Sequence, residues 1–319
     1  MSWAQVRDDA GPGSMDGHGK IDSDAEQGSS APIEHALSPY LTIQKAAACL
    51  RSFYGDAVNR AQLLEEIGRV VAAHKITLLS IDVFDTALLR SPGSELGRFW
   101  SLSKRFHETL PASANGPDPS VEDAMLVRIA AMRATYGMQR HSVIGSDPSL
   151  DDIAGTVCSL LNRPDLTEHY VRTELECEIE DVTLNPLIPE IRERFPSLRT
   201  VFLSDMYLDS RRIGRILAAK IRSKHRPEVY SSADGHGSKI GGGLFDHVAK
   251  SLRVKPNHAL HIGDHLQHDY RGAKRRGWHA LHLPLPDEEL RERRAHFAGT
   301  RAEIIPLDGG FGHECRFAP

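Results

Sequence analysis

Four stretches of this chain carry side chains whose types and spacing could do chemistry. The first, Ile76 to Leu88, reads ITLLSIDVFDTAL and holds Asp82, Asp85 and Thr86. The second, TVFLSD from Thr200 to Asp205, ends an apolar run in Ser204. The third places Lys239 in a glycine-rich turn, DGHGSKIGGG, ahead of an amphipathic segment. The fourth is His261-Ile262-Gly263-Asp264, with Asp269 five residues further on. The apolar run before Asp82 reads as a strand buried on both faces. An unpaired carboxylate inside such a strand would lose its solvation, so Asp82 must sit at the C-terminal tip. In an open parallel sheet that edge is where ligands bind. An acid, a hydroxyl, a lysine and an acid pair therefore follow one another, each at a predicted strand end or in the loop beyond it.

This ordered set resembles the haloacid dehalogenase superfamily of phosphohydrolases, over about 240 residues from Ile76 onward. In that resemblance Asp82 matches the nucleophile of the first motif and Ser204 the hydroxyl of the second. Lys239 matches the lysine of the third, and Asp264 with Asp269 the GDxxxxD metal motif. The implied activity is hydrolysis or transfer of a phosphoryl group from a small phosphorylated substrate, by way of an aspartyl-phosphate. A carboxylate attacking an anionic phosphoryl group needs the charge between them neutralised. A hard divalent cation with oxygen ligands does this, which suits Mg²⁺. The implied metal residues are Asp82, the backbone carbonyl of Phe84, and Asp264, with Asp269 orienting from outside. Ser204 would hydrogen-bond a phosphoryl oxygen, Lys239 would neutralise charge, and Thr86 would brace the loop.

The first motif departs from the usual DxDxT of these phosphatases. Two residues after Asp82 stands Phe84, which cannot transfer protons, and the carboxylate is displaced to Asp85. General acid catalysis is worth about 10²- to 10⁴-fold in rate, so leaving groups that need little protonation would suffer least. The sequence looks like the subset with Asp-x-Phe-Asp-Thr, which is often linked to bacterial glycosyltransferases; that link implies sugar-phosphate chemistry. Two alternatives stand beside the phosphohydrolase. One is a non-catalytic phosphoryl- or sugar-phosphate-binding protein; the other is a dehalogenase-like hydrolase. The Gly263-Asp264 acid favours metal-assisted phosphoryl chemistry over the latter. A transition-metal site built on His261, His265 and His268 is conceivable among the 17 histidines, but a hard-oxygen site already accounts for the acids.

These residues need an α/β scaffold, and the chain supplies its pattern. Strands expected at 199–203, 228–231, 258–262 and 279–283 alternate with helices, which argues for a parallel sheet with right-handed crossovers. The expected fold is a Rossmann-like parallel sheet with an inserted helical cap. The expected organisation is a disordered tail over 1–38, N-terminal helices and the first strand over 39–93, the cap over 94–197, the rest of the core over 198–299, and a tail over 300–319. The helices before the first strand should break near Gly55-Asp56. Within the cap, Val121, Met125, Ile129, Met132 and Tyr136 form one apolar stripe, and Glu168, Glu174, Glu176, Glu178 and Glu180 read as a solvated face. The last charged helix is expected over 286–297.

Composition excludes several classes. With 40% apolar and 26% charged residues the chain is an ordinary globular sequence. A formal net charge of −4 gives no reason to expect nucleic-acid binding. The basic clusters Lys220 to Arg226 and Lys274 to Arg276 read as helix ends. Four cysteines without CxxC spacing fit free thiols in a reducing compartment. No apolar run approaches the roughly 18 residues of a membrane span, and no signal-peptide core is visible. The expected setting is cytoplasmic, with no membrane partner.

Overall fold

The structure, a computed structural model, describes residues 39–111, 118–139, 145–221 and 226–314, with side chains from 41 to 304. The tail expected over 1–38 lies outside the described residues. Three helices come first: α1 (Pro39–Ala46), α2 (Leu50–Gly55) and α3 (Ala57–His74). Asp56 separates the last two with non-helical dihedrals, and its carboxylate accepts from the Val58 N–H at 2.8 Å. An acceptor there satisfies one of the orphan donors of a new helix, so the break falls where Gly55-Asp56 predicts it.

β1 (Leu78–Asp82) follows and is buried along its whole length. It is shorter than the apolar run suggests, because the chain turns immediately after Asp82. A short β2 (Leu88–Leu89) then leads into α4 (Glu95–Glu108), α5 (Val121–Gln139), α6 (Leu150–Leu160) and α7 (Thr167–Asp181). These four helices return to β3 (Thr183–Leu184), which pairs antiparallel with β2, so entry to and exit from the helical segment are tied together. α8 (Leu187–Arg194) brings the chain back to β4 (Arg199–Ser204), and α9 (Ser210–Ile221), β5 (Val229–Ser231), α10 (Gly243–Leu252) and β6 (Ala259–Gly263) continue. A π-helical turn over Leu266–Arg271 runs into α11 (Gly272–Arg275), then β7 (His279–His282) and α12 (Asp287–Glu314).

The five long strands form one parallel sheet in the order β5-β4-β1-β6-β7, the Rossmann-like α/β arrangement expected. The chain builds outward from β1 on one side, then crosses to build the other. β1 therefore lies at the point where strand order reverses, and its C-terminal end opens into the crevice between two neighbours. Alternation along the strands sends Leu79, Ile81, Phe202, Leu260 and Ile262 into one apolar cluster, and Leu78, Val201, Leu203 and Ala259 into another on the opposite face.

Two sequence expectations are corrected. Glu174 and Glu178 do not belong to a solvated face. Glu174 is buried against Arg128 of α5 at 2.6 Å, and Glu178 against Arg90 at 2.9 Å. Their partners arrive from distant chain, which helical periodicity alone cannot reveal; Glu168, Glu176 and Glu180 keep more exposure. The last helix does not stop at 297. α12 runs from Asp287 to Glu314 through most of the expected tail, with Ile304 buried in the main core. That apolar contact outweighs the glycine-rich composition further along. No helix among the described residues is long and apolar enough to cross a membrane.

Candidate active site

The register of the sheet brings three of the predicted residues to one edge. Asp82 is paired with Leu203, the residue before Ser204, and Ile81 with Ile262, two residues before Asp264. Asp82 and Ser204 are buried at their strand tips, and Asp264 is half-buried just past β6. Asp82, Ser204, Lys239, Asp264 and Asp269 all line one cavity of about 170 Å³.

Lys239 is the residue that joins them. Its Nζ lies 2.5 Å from Asp82 Oδ1 and 2.6 Å from Asp269 Oδ1, with all three side chains buried. Its backbone N–H donates to both oxygens of Asp205 at 2.8 Å, fixing the loop at its base. Arg275 and Arg276, read from sequence as a helix end, donate to the carbonyls of Ile240 and Gly241 at 2.8 Å and hold the other side of the turn. Gly272 must be glycine because a Cβ there would collide with the Lys239 carbonyl; at Gly263 a Cβ would overlap the Asp269 carboxylate. The glycines thus let α11 and β6 approach the two site residues closely.

Asp269 is held from three sides. Besides Lys239, it accepts from the His265 backbone N–H at 2.9 Å through Oδ2, and its Oδ1 lies 3.0 Å from His261 Nε2. His261 is paired with Ser80 in the β1–β6 register, and its Nδ1 lies 2.8 Å from the Ser80 hydroxyl. A chain of hydrogen bonds therefore runs Ser80, His261, Asp269, Lys239, Asp82 inside the sheet. Burial works against the charge on Asp269, but Lys239 and the His261 hydrogen bond hold its carboxyl well below the usual carboxylate range.

Asp82 behaves oppositely. Burial pushes its carboxyl up to about 7, with Asp269 adding to the rise and Lys239 and the Thr86 hydroxyl opposing it. Burial and the charges of Asp82 and Asp269 drive Asp264 well above its ordinary value. The three carboxylates carry more negative charge than one ammonium compensates. Each offers an oxygen within 4.8 Å of the others, and this set of hard, crowded oxygen donors fits a small divalent cation. His261, His265 and His268 stand outside this cluster of candidate ligands. His265 Nδ1 accepts from the N–H groups of Gln267 and His268 at 3.2 Å and caps the π-helical turn. His268 Nδ1 lies 3.1 Å from Asp205. The clustered candidate ligands are thus carboxylates, and of the three histidine side chains only that of His261 touches one of them, Asp269.

The loop after Asp82 is a tight turn. The N–H groups of Ala87 and Leu88 return to the carbonyls of Asp82 and Val83 at 3.2 and 2.7 Å. Within it Asp85 adopts φ +63°, a left-handed conformation open to aspartate but uncommon outside glycine. Arg293 of α12 grips both carboxylate oxygens of Asp85, at 2.7 and 2.8 Å, and also reaches Glu289. The side-chain partner of Asp85 is thus a guanidinium 208 residues further along the chain. Although burial disfavours its charge, Arg293 holds Asp85 well below the usual carboxylate range. The Phe84 ring lines the cavity with the Arg90 guanidinium 4.0 Å above its centroid. Thr86 is buried, and its carbonyl accepts from Asn185 Nδ2 at 2.8 Å.

Sequence reasoning missed Asp205, Arg90, Arg98, Glu178, Leu290 and Arg293 as cavity-lining residues. Asp205 could have been found from its place beside Ser204. Arg90 lies in the turn after β2, and the others come from the helical segment and the last helix, where no local pattern points at the site.

No family model matches the chain, and no curated protein matches it. Among solved structures the chain is similar to a 2-haloacid dehalogenase from Pseudomonas syringae pv. Tomato DC3000, with a TM-score of 0.44 and 17% identity over 65% of this chain and 86% of that one. It is also similar to an L-2-haloacid dehalogenase from Xanthobacter autotrophicus, with a TM-score of 0.42 and 15% identity over 65% and 77%. A third is a haloacid dehalogenase-like hydrolase from Streptococcus pneumoniae, with a TM-score of 0.36 and 14% identity over 68% and 91%.

Proposed function

We propose that this chain is a Mg²⁺-dependent phosphohydrolase of the haloacid dehalogenase type, acting on a small phosphorylated metabolite. The observation that carries the reading is the position of Asp82: at the C-terminal tip of the central strand, its Oδ1 2.5 Å from Lys239 Nζ, with Asp264 and Asp269 beside it. An oxygen of Asp82 attacks phosphorus, the bond from phosphorus to the leaving oxygen breaks, and that oxygen departs with the electron pair. Water then attacks the aspartyl-phosphate at phosphorus, giving inorganic phosphate and free Asp82, with its proton passing to solvent. Mg²⁺ held by Asp82, the Phe84 carbonyl and Asp264, with Asp269 outside them, would neutralise the charge between nucleophile and phosphoryl group.

The other residues act by position. Lys239 keeps one oxygen of Asp82 engaged, so the carboxylate presents the other to the cavity. The Ser204 hydroxyl, at the tip of β4 and lining the cavity, would hydrogen-bond a phosphoryl oxygen. Phe84 supplies no proton, and Asp85, locked on Arg293, has none to give at neutral pH. A leaving group that departs readily as an anion therefore suits this site best. The first motif of the subset linked to glycosyltransferases supports a sugar phosphate as substrate.

Phenylalanine in place of the usual proton donor also suits C–halogen cleavage, which needs no leaving-group protonation. The deciding experiment measures inorganic phosphate and halide release side by side, from phosphorylated metabolites and from 2-haloacids, with and without Mg²⁺, for wild type and Asp82→Asn. Mg²⁺-dependent phosphate release, lost in the folded variant, is the expected result. Halide release without metal would assign a dehalogenase, and binding of phosphorylated compounds without turnover a non-catalytic protein.

A further inference from the structure

Three guanidinium groups line the cavity, and two are spoken for. Arg293 is paired with Asp85 and Glu289, and Arg90 with Glu178 at 2.9 Å. Arg98, on the first turn of α4, donates to the Gly93 carbonyl at 3.2 Å and has no carboxylate oxygen within 4.0 Å among the described residues. The electrostatics agree. Burial lowers the pKa of each, but Glu178 and Asp85 more than offset it for Arg90, as Asp85 and Glu289 do for Arg293. For Arg98, burial and the Arg90 charge prevail and the value falls. Arg98 is thus a half-buried cation without an ion-pair partner among the described residues, and the charges of Glu178, Glu95 and Asp85 only partly offset its burial beside Arg90.

Its place gives this a use. Arg98 belongs to the wall that the catalytic cavity shares with a second cavity of about 260 Å³, along with Phe99, Glu178 and Tyr207. Of the acids lining the second cavity, Glu174 and Glu178 are already paired, and Asp181 lies beyond ion-pair reach of Arg98. A substrate with its phosphoryl group at Asp82 would occupy the cavity that this wall bounds.

Building on the function proposed above, we propose that Arg98 selects substrates whose leaving group carries a second anionic oxygen group, a carboxylate or a second phosphate. A planar guanidinium with free N–H donors recognises either by charge-assisted hydrogen bonds. Such a bond is worth about a ten- to hundredfold preference over a neutral analogue.

The test measures binding of non-hydrolysable phosphonates by calorimetry in the presence of Mg²⁺: a carboxyalkyl phosphonate, an alkane bisphosphonate and a hydroxyalkyl phosphonate of equal length. Wild type should prefer one or both of the compounds with a second anionic group over the hydroxyl compound by at least about tenfold. The preferred arm tells carboxylate from phosphate. Arg98→Gln should reduce the ratio to about one and Arg98→Lys should retain part of it. Because the readout is a ratio, a general loss of affinity does not imitate it, and thermal melting checks that each variant is folded. Equal affinity for all three in wild type, or a ratio unchanged in Arg98→Gln, overturns the inference while leaving the phosphohydrolase reading intact if phosphate is still released. Absence of phosphonate binding together with absence of phosphate release overturns both.

Discussion

Asp85 and Arg293 form a two-pronged ion pair between the loop that follows the central strand and the last helix of the chain, with oxygen–nitrogen distances of 2.7 and 2.8 Å. Both side chains are largely buried. The pair fastens α12 over the cavity, where Leu290 and Arg293 form part of the wall. It also fixes the left-handed backbone of Asp85, three residues from the nucleophile.

Asp85→Asn should therefore act on stability first. Removing one partner of a buried ion pair leaves the other charge uncompensated and costs about 3–5 kcal/mol. Urea unfolding of the two proteins measures this. If stability is unchanged while alkyl phosphate turnover drops about 10²-fold and the pH profile flattens, Asp85 is the acid/base and its role as an anchor is wrong.

Phe84 leads to a prediction about leaving groups. Wild type should hydrolyse an activated aryl phosphate far faster than an alkyl phosphate. Phe84→Asp should narrow that gap, chiefly by raising the alkyl rate, since a proton donor is worth about 10²- to 10⁴-fold. A gap of equal size in both proteins would show that proton donation does not limit this site.

The crowded acids lead to a prediction about metal. Chelation should abolish phosphate release and Mg²⁺ should restore it. Because the cation relieves repulsion among Asp82, Asp264 and Asp269, Mg²⁺ at 100 times its dissociation constant should add about 2.7 kcal/mol to stability. Asp264→Asn should reduce that increment. A melting temperature indifferent to Mg²⁺ in wild type would count against the site.

The buried His261 leads to a prediction about the chain of hydrogen bonds behind the nucleophile. His261→Leu keeps the bulk but strips a partner from both Ser80 and Asp269. Each unsatisfied buried group costs about 1–3 kcal/mol, so the urea midpoint should fall. Mg²⁺ affinity should weaken as well, because Asp269 loses one of its three fixings. Loss of stability alone, with metal affinity unchanged, would confine His261 to the core.

The helical segment α4–α7 enters and leaves through the β2–β3 pair and meets the core across the Arg212–Asp151 ion pair and the hydrogen bond from Ser232 to Asp147. A lid role for this segment predicts slower hydrogen exchange in it when a phosphate mimic binds. Unchanged exchange, with full activity after excision of the segment, would leave it no role in closure.

The sequence by itself determined the parallel α/β scaffold and the strand tips that carry Asp82, Ser204 and Asp264. Both are local: apolar runs of strand length end in polar residues that cannot be buried unpaired, and their order along the chain follows the alternation of strands and helices. The glycine-rich turn about Lys239 was likewise legible. Tertiary structure alone decided which charges meet. Arg293 reaches Asp85 across 208 residues, Arg128 takes Glu174 across 46, and His261 meets Ser80 across 181 through strand register. A helical period marks Glu174 and Glu178 as polar positions, but whether a carboxylate faces water or a buried guanidinium depends on what packs against it. The same holds for Arg98, whose lack of an ion-pair partner among the described residues emerges only once the neighbouring acids have been placed.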